Sequence, residues 1–589
     1  MLGFTASRTQ ICAYLFGVAL FSISFLVFLN SSISFVITQR IGQSHNVGDA
    51  VGTLGFADEV VALVACPAWG LLSDRVGVRS VAVLGYAIVG ISLWVFVQAR
   101  NVYPQLLLAR LLFSLGATAT ATMVTAILPT MTCVKTVDDP RTPRRANGNS
   151  HTMAPSISSE LTITPARFRS SSSGTADATA MKKDTGASTS HLAGLVGTFT
   201  GCGALVALLI FLPLPTHFQD AGASPATAVA DSFYVVGAIA LVVSIAVFFG
   251  LRKLPGEEGK GWDRVISTRS HKASDSLSSG RPILSYPKLF LASIQLGFRS
   301  RNIGLGYLGG FVARASSVAI SLFIPLFTNT YFLRTGQCAV DPEDPADIKH
   351  ACPQAYKLAA MLTGISQLIA LLSAPIFGYV SGRFRKFNLP LLFAAVAGIA
   401  GYSAFGSLAS PDPRSDDGSG AVFLIVILLG ISQIGAIVCS LALLGRGIHN
   451  DEVGAIECPY SDSSANGTGH PSAGATPPRS PLGTPATEDA PLLQDSEYDM
   501  PPAASFPKSH NHLKGAIAGT YSLLGGFGIL LLTKAGGALF DTSGPGAPFY
   551  MMASFNALLL VVGIGAAVVE AISGWREKER AANDERLGT

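Results

Sequence analysis

The chain has 589 residues, of which 49% are hydrophobic and only 13% are charged, and its mean hydropathy is +0.44. A soluble globular domain carries about a quarter charged residues, so this composition excludes a water-soluble enzyme and a nucleic-acid-binding protein. The formal net charge of +4 is less informative than the positions of the 41 basic residues, which are distributed asymmetrically along the chain.

Twelve apolar segments are long enough to cross a bilayer, since a spanning helix needs about 20 apolar residues. The predicted spans are 12–37, 53–72, 81–98, 104–131, 192–213, 232–251, 303–328, 356–378, 389–409, 421–444, 515–536 and 549–572. The first is longer than the apolar core of a signal peptide and lacks a small-residue cleavage site, so we expect it to be retained.

The basic residues predict the orientation of these spans. If the N-terminus lies in the cytosol, only six of the 41 basic residues fall on the opposite side, three fall inside spans, and the other 32 fall in cytosolic segments. The six are Arg40, Arg100, Arg334, Lys349 and Arg414, together with Lys357, which is the second residue of the predicted eighth span and is counted with its outer end. Because cytosolic loops are enriched in Lys and Arg, we expect both termini to be cytosolic.

The two halves of the chain share a motif and an organisation. The pattern G-x-x-S-x-R follows the second span at Gly70 and the eighth span at Gly378, an offset of 308 residues, and each half has a long polar insertion after its fourth span. This predicts an all-α polytopic membrane protein with two six-helix pseudo-repeats and a substrate path between them. The predicted parts are an N-terminal bundle (1–251, with insertion 133–190), a cytosolic linker (252–302), a C-terminal bundle (303–573, with insertion 445–513) and a cytosolic tail (574–589).

The insertions and the linker have distinct compositions. Segment 133–190 is rich in Ser and Thr, and 445–513 is rich in Pro, Ser and Gly, compositions that do not bury a core and that predict disorder. In the linker, Leu289, Leu291 and Phe298 have the spacing of an amphipathic helix at a membrane interface, although an irregular lead-in to the seventh span fits equally well.

The segment from Gly70 to Arg79, GLLSDRVGVR, resembles the loop between helices 2 and 3 of the major facilitator superfamily. The resemblance implies the twelve-helix fold of that family and a latch formed by Gly70, Asp74, Arg75, Gly77 and Arg79, with Arg383 in the repeat. By this analogy Asp74 docks on the start of helix 11 near Gly515. The departures are Val78, where the family usually has a second base, and Gly382, which replaces the acid in the repeat. The alternative is a plain turn with topogenic arginines.

Two further segments are similar to patterns of that family. The stretch from Arg110 to Gly116 looks like the R-x-x-x-G-x-G segment of helix 4, with Ser114 in place of the first glycine. The glycine-rich stretch from Gly197 to Gly203 resembles one often seen in antiporters, but Cys202 stands where the Gly-Pro pair is expected. Ordinary packing of small residues explains the same glycines.

Charged residues inside the predicted spans are the strongest functional candidates, because such residues usually face a partner or a cavity. We expect Asp58 or Glu59 to exchange a proton, with Arg110 or Arg314 as an alternating ion-pair partner or as the anchor for an anionic group of the substrate. The alternative is a static ion pair that fixes helix packing. This hypothesis needs a proton gradient and no cofactor or metal, and the sequence shows no Cys/His cluster.

Polar residues in the first and seventh spans are candidates for lining the cavity, because the family uses these matching helices in that way. They are Asn30, Ser31, Ser34, Ser316 and Ser317. The alternative is that the serines hydrogen-bond to their own or neighbouring backbone.

Two loop features complete the candidates. Cys338 and Cys352 lie in one non-cytosolic loop and can form a disulfide there. Glu488, Leu492 and Leu493 fit an acidic dileucine sorting signal, which would engage a sorting adaptor and direct the chain to a vacuolar or lysosomal membrane. The plasma membrane is the alternative location.

The sequence therefore predicts a secondary active transporter that moves a small solute by alternating access, coupled to protons, with antiport favoured over symport. Its partners would be the lipid bilayer, a small-molecule substrate and the adaptor, with no nucleic acid. We do not expect an enzyme or an ATP-driven pump, because no phosphate-binding loop or nucleophile and base constellation is visible. The alternative is a nutrient sensor with the same fold and no significant flux.

Overall fold

The computed structural model describes residues 6–43, 47–132, 173–254, 257, 260–261, 286–336, 353–384, 388–415, 418–449 and 513–587. The chain divides into two units, and all of these residues belong to the first, which comprises residues 1–450 and 509–589. The second unit, residues 451–508, lies outside the described residues. The candidate disulfide (Cys338, Cys352) and the sorting signal (Glu488, Leu492, Leu493) also lie outside them, so both stay predictions.

The described residues form helices, and none of them lies in a β-strand. Twelve helices are long and apolar enough to cross a membrane, as predicted. They are α1 (Arg8–Ile41), α2 (Ala50–Val76), α3 (Val78–Phe96), α4 (Val102–Met131), α5 (Ala187–Asp220), α6 (Pro225–Gly250), α7 (Arg301–Arg334), α8 (Gln354–Arg383), α9 (Leu389–Gly406), α10 (Ala421–His449), α11 (Lys514–Ser543) and α12 (Ala547–Arg576). A further helix, Tyr286–Arg299, precedes α7 and is called the linker helix below.

Two helices extend into segments predicted to be disordered insertions. The helix of α5 begins at Ser173, and that of α10 continues to His449, so the prediction of disorder is wrong for residues 173–190 and 445–449. Composition misled here because Ser and Thr usually favour loops. In the structure Ser190 is fully buried, and Thr189 donates a hydrogen bond to Thr132, 3.1 Å away, so these hydroxyls are satisfied inside helix contacts.

The repeat seen in the sequence recurs in the contacts between helices. Gly70 of α2 packs on Gly519 of α11, and Gly378 of α8 packs on Gly194 of α5, so closely that an added Cβ would overlap the opposite backbone. The offset of 325 residues that relates Gly194 to Gly519 also relates the π-helical turns Ala207–Phe211 and Leu532–Gly536. Glycine lets helices approach closely where no side chain intervenes. The chain therefore folds as two six-helix pseudo-repeats joined through equivalent helix pairs.

Both helix pairs make their closest backbone contacts near one end. At this end, which we call the latch end, α2 meets α11 around Gly70. Toward the opposite end, a Cβ added to Gly52 or Gly55 of α2, or to Gly364 of α8, would meet no atom within 4 Å, although Lys534 of α11 lies 4.4 Å from the ring centroid of Phe56 of α2. The backbones of the two pseudo-repeats therefore approach most closely at the latch end.

Candidate functional site

The latch end is closed by Asp74, the last acidic residue of α2. Its carboxylate accepts hydrogen bonds from the backbone N–H groups of Gly515 (2.8 Å) and Ala516 (2.7 Å), in the first turn of α11. These N–H groups have no partner within their own helix, and the helix dipole favours a negative charge there. The contact is the one expected from the sequence resemblance, and it joins the two pseudo-repeats.

Gly77 forms the turn between α2 and α3 with φ +100°, a conformation that L-residues rarely adopt. A Cβ at this position would also meet the carboxylate of Glu257. Glu257 accepts a hydrogen bond of 2.8 Å from the backbone N–H of Val78, at the start of α3, and forms ion pairs with Lys260 (3.2 Å) and with the buried Lys514. The segment after α6 therefore bridges the α2–α3 turn and the first residue of α11.

The latch arginines pack on aromatic rings. The guanidinium carbon of Arg75 lies 3.6 Å from the ring centroid of Tyr286, and that of Arg79 lies 4.1 Å from the ring centroid of Phe248. Arg79 also donates a hydrogen bond of 2.9 Å to the Phe248 carbonyl. Such stacking fixes a cation through the negative face of the ring. Arg383, the equivalent of Arg75 in the repeat, is exposed at the end of α8.

In the repeat, an arginine takes the place of the missing acid. Arg446 of α10 is 8% exposed and donates hydrogen bonds through Nη2 to Ser190 Oγ (3.0 Å) and to the carbonyl (3.0 Å) and Oγ (2.6 Å) of Ser381. Ser190 belongs to α5 in the first pseudo-repeat, so Arg446 joins the two halves. Nearby, His449 of α10 lies 3.3 Å from Thr132 at the end of α4.

The different chemistry of the two joints follows from the helix ends. The helix of α11 begins at Lys514, next to free N–H groups that a carboxylate can bind, whereas the helix of α5 continues for several turns before Ser190. No free N–H group is available at Ser190, because the backbone there is already hydrogen-bonded within the helix. The absence of a carboxylate at Gly382 therefore removes no hydrogen bond from this joint. Arg446 instead binds the carbonyl of Ser381 near the end of α8.

A buried ion pair lies within the spans. Arg110 of α4 donates through Nε to Asp58 Oδ2 of α2 (2.6 Å) and through Nη2 to Asn30 Oδ1 of α1 (2.6 Å). The Arg110 side chain is 4% exposed and that of Asp58 is 14% exposed. Ser114, one turn after Arg110, donates to the Asp58 carbonyl at 3.1 Å. Three helices of the first pseudo-repeat thus meet at one guanidinium.

This ion pair leaves two buried polar atoms without a partner. Within the described part of the chain, Asp58 Oδ1 and Arg110 Nη1 make no hydrogen bond. Buried polar groups are almost always satisfied, so such atoms indicate a place for water or a polar ligand.

Glu59 and Arg314 come from opposite pseudo-repeats. Glu59 interacts electrostatically with Arg314 of α7, and also with Asp58 and Arg110. Neither side chain makes a salt bridge or hydrogen bond to another described residue, and each is half-buried. The aliphatic part of Arg314 packs on Gly525 of α11. The predicted charged residues therefore lie near one another, and Glu59 with Arg314 connects the two pseudo-repeats electrostatically.

The predicted cavity residues divide into two groups. Asn30 is exposed and binds Arg110, Ser31 and Ser34 are half-buried on α1, and Ser317 accepts a hydrogen bond from Gln433 Nε2 at 2.9 Å. Ser316 differs from the prediction, because it is buried and its hydroxyl bonds the hydroxyl of Tyr402 on α9. Neighbouring helical residues point about 100° apart, so Ser316 bonds to α9 while Ser317 bonds to α10.

Several site residues were missed by the sequence analysis. Glu257 lies inside the predicted linker, Arg446 lies inside a predicted insertion, and Lys514 directly follows that insertion. Lys514 and Arg446 each lie within one turn of the end of a predicted apolar span, and this position was the signal available for both. Gln433 and Gln367, which bond each other at 3.4 Å between α10 and α8, were visible as amides inside apolar spans.

Comparisons with known proteins agree with this architecture. The sequence model of the Major Facilitator Superfamily matches residues 20–135, which contain the latch loop and the Asp58–Arg110 pair. No curated protein sequence matches the chain significantly.

Solved transporters share the fold over nearly the whole chain. The human organic anion transporter MFSD10 (TETRAN) has 13% identity and a TM-score of 0.50, over 94% of this chain and 99% of that one. The E. coli fucose:proton symporter FucP, in the outward conformation, has 11% identity and a TM-score of 0.53, over 95% and 99%. The proton:xylose symporter XylE, bound to 6-bromo-6-deoxy-D-glucose, has 11% identity and a TM-score of 0.51, over 94% of each.

At these identities the likeness to solved structures shows the fold, and the family match adds the sequence evidence. The family match over residues 20–135 and the twelve helices long and apolar enough to cross a membrane indicate an integral, multi-pass membrane protein. The chain therefore contains a segment similar to the Major Facilitator Superfamily and has the twelve-helix fold of solved transporters of that superfamily.

Proposed function

We propose that the chain is a secondary active transporter that carries a small solute by alternating access, coupled to protons through the carboxylates of α2. The observation that supports this proposal most is the charge cluster between the pseudo-repeats. It combines a buried Asp58–Arg110 pair with an adjacent Glu59 that faces Arg314 of the other half. Charged groups at membrane depth are costly, and they mark proton and substrate paths.

We assign different roles to the two carboxylates. Asp58 is held by Arg110, so protonating it would break an ion pair and release a buried guanidinium. Glu59 makes no hydrogen bond to a described residue and is half-buried, so it can exchange a proton with water in the path at lower cost. Glu59 is the proton-exchanging group in this proposal, and Asp58 with Arg110 and Asn30 fixes the position of α2.

Arg314 couples the proton to the substrate in this scheme. When Glu59 is charged, it neutralises Arg314 across the path, and when Glu59 is protonated, Arg314 is free to bind an anionic group. The neighbouring amides Gln433 and Gln367, which lie beyond Ser317, supply hydrogen-bonding groups on the same side of the path. A small organic anion is thus the substrate class that this side of the path favours.

The experiment begins with an uptake screen of metabolites and drugs in sealed proteoliposomes, with and without a pH gradient. For the solutes transported, E59Q should abolish uptake driven by the gradient while keeping exchange of labelled for unlabelled solute. Exchange needs no net proton movement, so it should survive the loss of the proton-exchanging group. A variant that only misfolds would lose both gradient-driven uptake and exchange. D541N, at an exposed carboxylate near the far end of α11, is the matched control and should transport normally.

Two outcomes would contradict the proposal. If D58N and E59Q both keep full uptake driven by the gradient, the carboxylates form a static packing element. If the folded protein moves no solute in the screen, the sensor alternative replaces transport. The sign of the gradient that drives uptake decides between symport and antiport. Because the proton on Glu59 and the anion on Arg314 are bound together in this scheme, we propose symport in place of the antiport that the sequence favoured. Gly197 and Gly201 pack against neighbouring helices and so need no role in antiport.

We also propose a vacuolar or lysosomal membrane, with both termini in the cytosol, as the location. The support is the dileucine pattern with Glu488, Leu492 and Leu493, which a sorting adaptor would bind, together with the excess of basic residues in the predicted cytosolic segments. Substitution of Leu492 and Leu493 by alanine should move a tagged chain to the plasma membrane. An unchanged vacuolar location in the double variant would contradict the role of this signal.

A further inference from the structure

The linker helix Tyr286–Arg299 has two unlike faces. Its inner face contains Ser293 and Leu296, both fully buried. Its outer face contains Leu291, which is 65% exposed, and Phe298, which is 89% exposed, the largest exposed fraction of any large apolar side chain in the described residues. An exposed phenylalanine on a helix outside the spans needs an apolar surrounding, since exposed aromatic surface is unfavourable in water.

Basic residues flank this apolar pair. Lys288 and Arg299 lie on the outer face of the linker helix, and Arg301 begins α7, and all three side chains are exposed. None of these three bases forms an ion pair within the described residues. Lys288, Leu291 and Phe298 are spaced so that they lie along one face of the helix. An apolar stripe edged by cations is complementary to the region where acyl chains meet anionic headgroups.

The position of the helix brings this face to the membrane surface. Only Ser300 separates the linker helix from α7, which is a membrane span. Gly297 and Gly304 allow the two helices to pack so closely that a Cβ at Gly304 would overlap the carbonyl of Gly297. The inner face is fixed by a hydrogen bond between Ser293 and Thr520 of α11 (2.7 Å) and by one from the Tyr307 hydroxyl to the Ser293 carbonyl (3.2 Å).

We propose that the outer face of the linker helix is a binding site for anionic phospholipids. In this site Leu291 and Phe298 insert among the acyl chains, while Lys288, Arg299 and Arg301 bind the phosphate-bearing headgroups. Only Ser300 lies between this helix and the membrane span α7, so the membrane itself is the occupant. The inference goes beyond solute transport, and its test does not depend on the substrate or on transport activity.

The test compares the affinities of the purified full-length protein for phosphatidylglycerol and phosphatidylcholine, measured by native mass spectrometry in detergent. Wild type should prefer phosphatidylglycerol. Each basic residue near an anionic surface contributes about a fivefold preference, so K288Q/R299Q/R301Q should lose most of it, roughly a hundredfold for the three. The matched control R100Q/R334Q/R414Q removes three exposed bases at the opposite end and should keep the preference.

Two further arms distinguish binding of a lipid from binding of a soluble phosphate. L291Q/F298Q should lower the affinity for both lipids while keeping the preference for phosphatidylglycerol, because it removes insertion and leaves the cations. Soluble glycerol phosphate should not raise the melting temperature of the protein. The proposal is overturned if K288Q/R299Q/R301Q keeps the wild-type lipid preference, if the control triple variant loses it equally, or if glycerol phosphate stabilises the protein as phosphatidylglycerol does.

Discussion

At the scale of single residues, the Asp58–Arg110 pair sets the position of three helices. Breaking a buried pair by removing one partner costs about 3–5 kcal/mol, because the remaining charge stays buried. We expect D58N and R110Q each to lower thermal stability, and the double variant to be more stable than the sum of the two losses predicts. Melting temperatures of the four proteins in one detergent form the double-mutant cycle.

The expected coupling in this cycle is about 0.5–3 kcal/mol, the range for residues in direct contact. Additive effects would mean that Asp58 and Arg110 do not interact in the folded protein. The same cycle with E59Q in place of D58N is the internal comparison, and it should give a weaker coupling, because Glu59 makes no salt bridge with Arg110.

The turn at Gly77 gives a second prediction at this scale. G77A would place a Cβ at φ +100° and against the Glu257 carboxylate, whereas G544A meets the same kind of backbone strain at φ +112° with open space around it. The backbone strain alone costs about 1–3 kcal/mol. We expect the melting temperature of G77A to fall further than that of G544A. Equal losses would show that the Glu257 contact contributes nothing to stability.

Single residues of the latch differ in whether their contacts could be predicted from the sequence. Asp74 was predicted to dock near Gly515 because the latch motif has strict spacing and a fixed place after the second span. Glu257 and Lys514 could not be predicted, since their meeting depends on how two segments far apart in sequence fold onto the latch end. The different partners of Ser316 and Ser317 depend on the rotation of α7 about its own axis. That rotation cannot be predicted for a span that has apolar residues on all sides.

At the scale of elements, Glu257 holds the segment after α6 against the start of α11. E257Q would keep an acceptor for the Val78 N–H but remove the ion pair between Glu257 and the buried Lys514. A loss of about 3 kcal/mol would shift the equilibrium toward an opened latch by more than a hundredfold. The thiol of Cys66, which is buried on α2 one turn before Gly70, is a native reporter of this opening.

The measurement is the rate of Cys66 alkylation by a maleimide, followed by peptide mass spectrometry. E257Q should raise this rate strongly, while Cys12, which is already exposed, should react at the wild-type rate. K260Q is the matched control, because Lys260 also pairs with Glu257 but is more exposed than Lys514, and partly exposed pairs contribute little. An unchanged alkylation rate of Cys66 in E257Q would show that Glu257 does not hold the latch end closed.

The asymmetry between the two joints predicts the result of restoring the missing acid. In the repeat, a side chain at Gly382 would point toward the carbonyl of Ala187 and the ring of His191 rather than toward free N–H groups. A carboxylate near a carbonyl oxygen is repelled, so we expect G382D to lower the melting temperature. G382A, which adds a Cβ without charge, is the control. Stabilisation by G382D would show that α5 offers an anion-binding end after all.

The element scale also shows where composition and periodicity stop being informative. All twelve spans could be predicted, because a bilayer demands long apolar helices whatever the tertiary contacts are. The ends of α5 and α10 could not, because a buried hydroxyl or arginine at a helix end becomes favourable only when a neighbouring helix supplies its partner. The same pairing brings Arg446 into the joint between the pseudo-repeats.

At the scale of the whole molecule, the two joints at the latch end should open together if the pseudo-repeats rock as rigid bodies. Asp74 closes one joint between α2 and α11, and Arg446 closes the other between α5, α8 and α10. Weakening either joint then shifts one shared equilibrium between closed and open states. Independent local opening would instead confine each effect to its own joint.

The alkylation of Cys66 distinguishes these two cases, because Cys66 lies at the first joint only. We expect R446Q to raise the alkylation rate of Cys66 although the hydrogen bonds of Arg446 described above go to α5 and α8. We expect D74N to raise the rate by about fivefold, as for the loss of a helix-capping interaction. For rigid-body rocking, the factors of D74N and R446Q multiply in the double variant. If R446Q leaves Cys66 as protected as in wild type, the joints open separately, and a single rocking motion cannot be the basis of alternating access in this chain.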